Sequence, residues 1–252
     1  MYSEWDAFDD GSINNVETSY AITTADVMKA LVDVTKYNFI ANEVKDEIYD
    51  TINNITMTWC KNYFTETKTE GGYFWYSNNP WDNIDSPNVS AALGSSICKA
   101  INLEDINLFT NDEKILINRT LNLVSQRLSL KAKMENGVPF WEYIDGQGKM
   151  NDLVHHCFTI EGTYILRSRF DFTWELGDEI KSLNEFFEND VIKSDIDSSD
   201  RVADLYDVGE LLWYYGIIGE KEKANEVIDF IFDNQRDLAS GKFEDVREVC
   251  FF

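Results

Sequence analysis

Three prolines in 252 residues leave nearly the whole chain free to be helical. Several stretches carry apolar residues at helical spacing: Val44, Ile48, Ile52, Ile55, Trp59 and Tyr63; Ile117, Leu121, Val124 and Leu128; Leu176, Ile180, Leu183, Phe187 and Val191; and Ala224, Val227 or Ile228, and Ile231. Their other faces hold Lys, Glu, Asp and Asn, so each reads as an amphipathic helix with one side in solvent. Between them lie residues 16–37, 86–101, 151–168 and 201–218, rich in Ala, Gly, Ser and aromatics, with apolar side chains on more than one face. That pattern suits helices buried among other helices. Asn15, Ser86, Asn151 and Ser199 or Asp200 stand where a capping residue is wanted. The expectation is an all-α fold, a single domain over 1–252, of about eight helices in four hairpins.

Charge and composition then remove several functions. Against 22 Lys and Arg stand 46 Asp and Glu, a net charge of −24, so no cationic face exists for a nucleic acid. The longest strongly apolar run, residues 211–218, is far short of the ~20 residues that cross a membrane. With 44 % apolar and 14 % aromatic residues the chain still has material for a core, so the acidity describes a solvated surface. Cys60, Cys98, Cys157 and Cys250 are too far apart for a CxxC motif. With no secretory signal at Met-Tyr-Ser-Glu-Trp-Asp, the expectation is reduced thiols and a cytoplasmic location.

A repeat underlies the alternation. Glu4-Trp5-Asp6-Ala7-Phe8, Phe74-Trp75-Tyr76 and Phe140-Trp141-Glu142-Tyr143 are aromatic clusters, each followed by a polar loop and a helix of the buried kind. Trp5 to Trp75 is 70 residues and Trp75 to Trp141 is 66, and ten residues after each Trp comes Asn15, Asp85 or Asn151. A further copy begins at Gly241-Lys242-Phe243. Repeats at fixed period outrank local propensity in fixing architecture.

Aromatic loop, inner helix and outer helix at this period resemble the α/α-toroid superfamilies: terpenoid cyclases and protein prenyltransferases, six-hairpin glycosidases, and the related polysaccharide lyases and uronyl epimerases. Segments 71–76 and 141–156 are similar to the approaches to inner helices in those folds. Those families carry more hairpins than the about four this chain has room for, so the ring is small or open, or a second chain completes it. The alternative architecture is an α-solenoid, whose repeats serve more often as binding scaffolds.

The resemblance implies a functional cleft where loops lead into inner helices, and those loops hold an unusual set. Trp5, Trp75, Trp81 and Trp141 are candidate sugar platforms, since pyranose faces stack on indoles, with Asp85 as a polar partner. The only histidines, His155 and His156, open the third inner helix, each sharing a face with Asp152. Either is a candidate base or acid, with Tyr164 or Glu161 as partner, for the proton removal and return of a lyase or epimerase. Hydrolysis asks instead for two opposed carboxylates, for which Glu142, Asp152, Asp207 and Glu210 are candidates. The bland reading makes both histidines helix-start residues with polar partners.

Metals and cofactors find no support. HExxH is absent and two histidines cannot build a His-rich zinc site. Residues 195–200 lack the Gly and Glu of a calcium loop, and Asp9-Asp10 lacks the third Asp of a magnesium-binding DDxxD. Gly146-Gln147-Gly148-Lys149 lacks P-loop spacing. The functional expectation is therefore a saccharide substrate in an aromatic and acidic cleft, with no cofactor, metal, nucleic acid or membrane. An isoprenoid-processing toroid is the variant within that class, since aromatic faces also stabilise carbocations. From a different class, an acidic helical-repeat protein binding a basic partner, as a nucleic-acid mimic does, fits the net charge of −24. Homo-oligomerisation stays open in either case.

Overall fold

The structure, a computed structural model, describes residues 18–103, 107–188, 191–196 and 203–239. Eight helices and three two-stranded hairpins alternate among them: α1 (Ala21–Val34), α2 (Asn42–Asn62), β1 (Phe64–Glu66), β2 (Gly72–Phe74), α3 (Pro87–Ile101), α4 (Asn111–Lys131), β3 (Lys133–Glu135), β4 (Val138–Phe140), α5 (Leu153–Leu166), α6 (Leu176–Asn184), β5 (Phe187–Glu188), β6 (Val191–Ile192), α7 (Leu205–Ile218) and α8 (Lys221–Ala239). The fold is mostly helical, as the stripes predict.

The helices α1, α3, α5 and α7, called the inner series after the sequence class they match, and α2, α4, α6 and α8, called the outer series, fall where the two composition classes put them. Every residue of α3 from Pro87 to Cys98 is buried, whereas α2 and α4 bury one face. Thr110 starts α4 with a reciprocal cap: Thr110 N–H donates to Glu113 Oε2 at 2.8 Å, and Glu113 N–H points back to the Thr110 hydroxyl. Ser86 is the N-cap of α3, as expected. The caps of the other helices of this series differ: they are Tyr20 for α1, Asp152 for α5 and Asp204 for α7, so the candidate Asn151 precedes the true position, while Ser199 and Asp200 lie outside the described residues. Asn15, Trp5 and Gly241-Lys242-Phe243, and with them the first and last repeat copies, lie outside the described residues.

The hairpins are the feature that helical periodicity leaves out. Each joins an outer helix to the next inner one, antiparallel, with Phe64 opposite Phe74, Lys133 opposite Phe140 and Phe187 opposite Ile192. In all three the last strand residue precedes the first helical residue by 13 positions: Phe74 to Pro87, Phe140 to Leu153, Ile192 to Leu205. The aromatic repeat is thus a helix, hairpin, 12-residue connection and helix, and it extends to a third copy that has no tryptophan at the matching place, where Lys193 stands.

Two compact units emerge from the contacts: Met1–Ala132, Trp141–Gly148 and Thr159–Thr173 form one, and Lys133–Phe140, Lys149–Phe158 and Trp174–Phe252 the other. The first is built on one cluster of buried side chains, among them Met28, Ile52, Leu93, Ile97, Ile117 and Leu121. Its inner helices approach closely through small residues: a Cβ on Gly162 would stand 2.5 Å from the Ala91 carbonyl carbon. The second unit buries Phe140, Leu183, Phe186, Val208, Leu211 and Tyr214.

Candidate functional site

In the second unit the start of α5 meets the chain that leaves β6. Leu153 N–H donates to the Ser194 carbonyl at 2.8 Å, which fixes the start of α5 against the chain leaving β6. Asp152 then caps α5: its Oδ1 accepts from His155 N–H at 3.1 Å and from the His155 Nδ1–H at 2.5 Å. A capping carboxylate and a side chain three residues on are neighbours in the first turn, so one Asp sets both helix start and imidazole orientation. Held through Nδ1 by a carboxylate, the ring in its neutral form carries its lone pair on Nε2. His155 and Asp152 are both partly solvent-accessible.

Asp207 occupies in α7 the place that His155 occupies in α5, the third residue of the helix. Asp204 Oδ1 accepts from Tyr206 N–H at 2.8 Å and Asp207 N–H at 3.0 Å, and the Asp207 carboxylate accepts from Asp204 N–H at 3.3 Å. Burial pushes the Asp207 carboxyl above the usual carboxylate range, reinforced by the negative charges of Asp204 and Asp152 and opposed by Ser194 and the Asp204 N–H. A carboxyl that holds its proton longer than usual and an imidazole with an oriented basic nitrogen have the character of an acid and a base.

His156 is a different object. It is 1 % exposed, stacked on Phe140 with centroids 5.4 Å apart and tilted against Phe186 at 5.5 Å. The Ser182 hydroxyl donates to the Glu179 carbonyl at 2.7 Å, so the His156 Nε2–H donates to Ser182 Oγ at 2.7 Å. Burial alone pulls its pKa down to about 3, and the ring is neutral throughout the physiological range. Its place is in the core. Tyr164 is nine residues beyond His155 in α5, about 13 Å along the helix axis, and that separation removes it as a hydrogen-bonding partner of either histidine.

The first unit holds the remaining candidates, and they divide by burial. Trp141 is 0 % exposed with its Nε1–H on the Leu128 carbonyl at 2.9 Å, so it is a core residue that offers no face to a sugar. Glu142 is buried and its Oε2 accepts from Gly146 N–H at 2.5 Å, bracing the loop. Trp75 is half-buried, donating from Nε1 to the Thr65 hydroxyl at 2.9 Å and meeting Tyr63 edge-on at 5.7 Å. Trp81 is 82 % exposed on the short turn Pro80–Asp82. Of the four candidate tryptophans, Trp5 lies outside the described residues, and Trp75 and Trp81 keep accessible ring surface.

Asp85 belongs to an ion-pair cluster that sequence reasoning missed. The buried Arg127 of α4 donates from Nε to Asp85 Oδ2 at 2.7 Å, from Nη2 to Asp145 Oδ2 at 3.0 Å, and from Nη1 to Glu70. Lys131 pairs with Asp145 at 2.8 Å. One guanidinium thereby ties the β1–β2 loop and two inter-element loops to one helix. Burial raises the Asp85 carboxyl despite the pull of Arg127. A second missed pair, Lys29 with Glu161 at 2.9 Å, lies on α1 and α5 and gives the Glu161 carboxylate a cationic partner in the first unit.

Among the described residues no group of three or more His, Cys, Asp or Glu is placed to hold a metal ion, and no helix is long and apolar enough to cross a membrane. Cys60, Cys98 and Cys157 are buried thiols, with that of Cys60 pushed up to about 12 by burial. Compared with known protein families, with curated proteins and with solved structures, the chain matches none of them.

Proposed function

We propose that this chain is a carbohydrate-active protein of α/α-toroid-like architecture, working by acid–base chemistry on an oligo- or polysaccharide. The observation that carries the reading is the Asp152–His155 pair in the same unit as a carboxyl of raised pKa, Asp207. In that chemistry Asp152 holds the imidazole with Nδ1–H toward itself, and Nε2 accepts the proton of a water or of the carbon beside a uronate carboxylate. Asp207 gives its proton to the departing oxygen or the opposite face of the carbon and is recharged from solvent. Separately, in the first unit, Trp75 and Trp81 offer indole surface on which a pyranose face stacks.

The test is a thermal-shift screen with neutral and uronic-acid oligosaccharides, with polyprenyl phosphates plus magnesium as the isoprenoid arm. A saccharide at a hundred times its dissociation constant stabilises the native state by about 2.7 kcal/mol, or roughly 5–10 °C for a chain of this size. The shift is expected to shrink in Trp75→Ala. Where turnover follows, His155→Ala lowers kcat by about 10²–10⁴-fold and leaves the melting temperature nearly unchanged. A shift with polyprenyl phosphate, or none with any saccharide, overturns the proposal.

The net charge of −24 favours one further reading, an acidic scaffold for a basic protein. A basic DNA-binding domain in the same screen separates the two. Its stabilisation would collapse with salt, while a stacked sugar is nearly indifferent to it.

A further inference from the structure

Consecutive inner helices of the first unit meet in one register. Counting the first residue of each helix as zero, position 4 of α1 is Ala25, whose carbonyl accepts from the hydroxyl of Ser96, position 9 of α3, at 3.0 Å. Position 4 of α3 is Ala91, and the residue against it is Gly162, position 9 of α5, where a Cβ would stand 2.5 Å from the Ala91 backbone. Position 4 of one inner helix therefore receives position 9 of the next. Small residues stand at both places because the backbones come close.

The same count finds one open face on α7 and one on α1. Position 4 is buried as Ala25, Ala91 and Cys157 but exposed as Gly209 in α7, where a Cβ would meet nothing within 4 Å. Gly209 lines an open apolar groove of about 480 Å³ with Leu212, Trp213, Gly216 and Ile217, and Trp213 is 55 % exposed. Position 9 is buried as Ser96, Gly162 and Tyr214 but exposed as Ala30 in α1. Ala30 lies in a stripe with Thr23, Val27 and Val34, and Val27 is 48 % exposed. Among the described residues the acceptor face thus has no donor helix on it, and the donor face no acceptor.

We propose that a second copy of this chain supplies both: α1 of one copy docks on α7 of another, Ala30 over Gly209, continuing the register of the inner helices. The occupant is specified by the register, since among the described inner helices α1 alone presents position 9 to solvent. The contact is heterologous, so a pair of copies keeps one open face of each kind and association continues to a ring or a chain. With −24 on each copy the apolar contact works against charge repulsion, and salt strengthens it. This inference is independent of the carbohydrate reading.

Sedimentation velocity of the whole chain up to about 100 μM, at about 0.15 and 0.5 M salt, tests it. The wild type is expected to gain mass with concentration, more so at the higher salt. Gly209→Arg blocks the acceptor face and Ala30→Arg the donor face; each points into solvent and each alone is expected to be monomeric. Mixed in equal amounts they are expected to form a dimer that grows no further, because only one open pair of faces remains. That complementation also certifies that both variants fold. A wild type that stays monomeric overturns the proposal, as does either variant associating alone like the wild type, or a mixture that stays monomeric while the wild type associates.

Discussion

His155 and His156 are adjacent in the chain and opposite in physical state. One is oriented by a capping carboxylate with partial access to solvent; the other is sealed between two phenylalanines. A step of 100° on a helix is enough to separate them, and on a helix apolar all round no face pattern says which one turns inward. The buried ring has a consequence for stability. Its pKa falls from 6.5 to about 3 on folding, so the unfolded chain takes up the proton first as the solution is acidified. The contribution of neutral His156 is complete above pH 6.5 and is lost as pH drops toward 3, about 5 kcal/mol over the window. His156→Gln keeps a donor for Ser182 and cannot charge. Denaturant titrations from pH 7.5 to 4 are expected to show it about 1–2 kcal/mol less stable at the upper end and with a much flatter pH profile; equal slopes would refute this assignment. Arg127 was illegible for another reason. It sits among Val124 and Leu128 where a lone charge reads as a solvated face, and its three carboxylates come from 42, 57 and 18 residues away. Arg127→Leu strands Asp85 as an unpaired buried charge and is expected to cost about 3–5 kcal/mol in urea unfolding. A loss below 1 kcal/mol would mean that the cluster is solvated.

At the scale of elements, the close approach of α3 and α5 is the contact most sensitive to a single atom. Gly162→Ala puts a methyl group into the Ala91 backbone, and neither partner is a flexible side chain that can swing aside. The expected loss is about 1–3 kcal/mol or more, read as a lower urea midpoint, although alanine is the better helix former. An unchanged or raised midpoint would show that the helices separate at no cost. The helices themselves were legible because amphipathic and all-apolar segments alternate over long stretches. The hairpins were not, because strands of two or three residues carry no period. One local signal existed: Asn136-Gly137, between Glu135 and Val138, forms a two-residue turn with both residues at positive φ, 51° and 86°. The stripe from Leu176 to Val191 overran α6 because Phe187 and Val191, four residues apart, satisfy a helical and an alternating spacing alike.

Over the whole molecule, the repeat was legible through its tryptophans in two copies and illegible in the third, where Lys193 replaces the indole and only the hairpin and the connection length persist. The chemistry of the repeat diverges while its spacing holds: the third residue of successive inner helices is Val89, His155 and Asp207. The constant 12-residue connection has a kinetic consequence. Each hairpin pairs residues at most ten apart, so it closes with little loss of chain entropy and before inner helices from different repeats need to meet. Nucleation is then open to every repeat, and the slow step of folding is the docking of preformed helix pairs through their small-residue faces, not the pairing of strands.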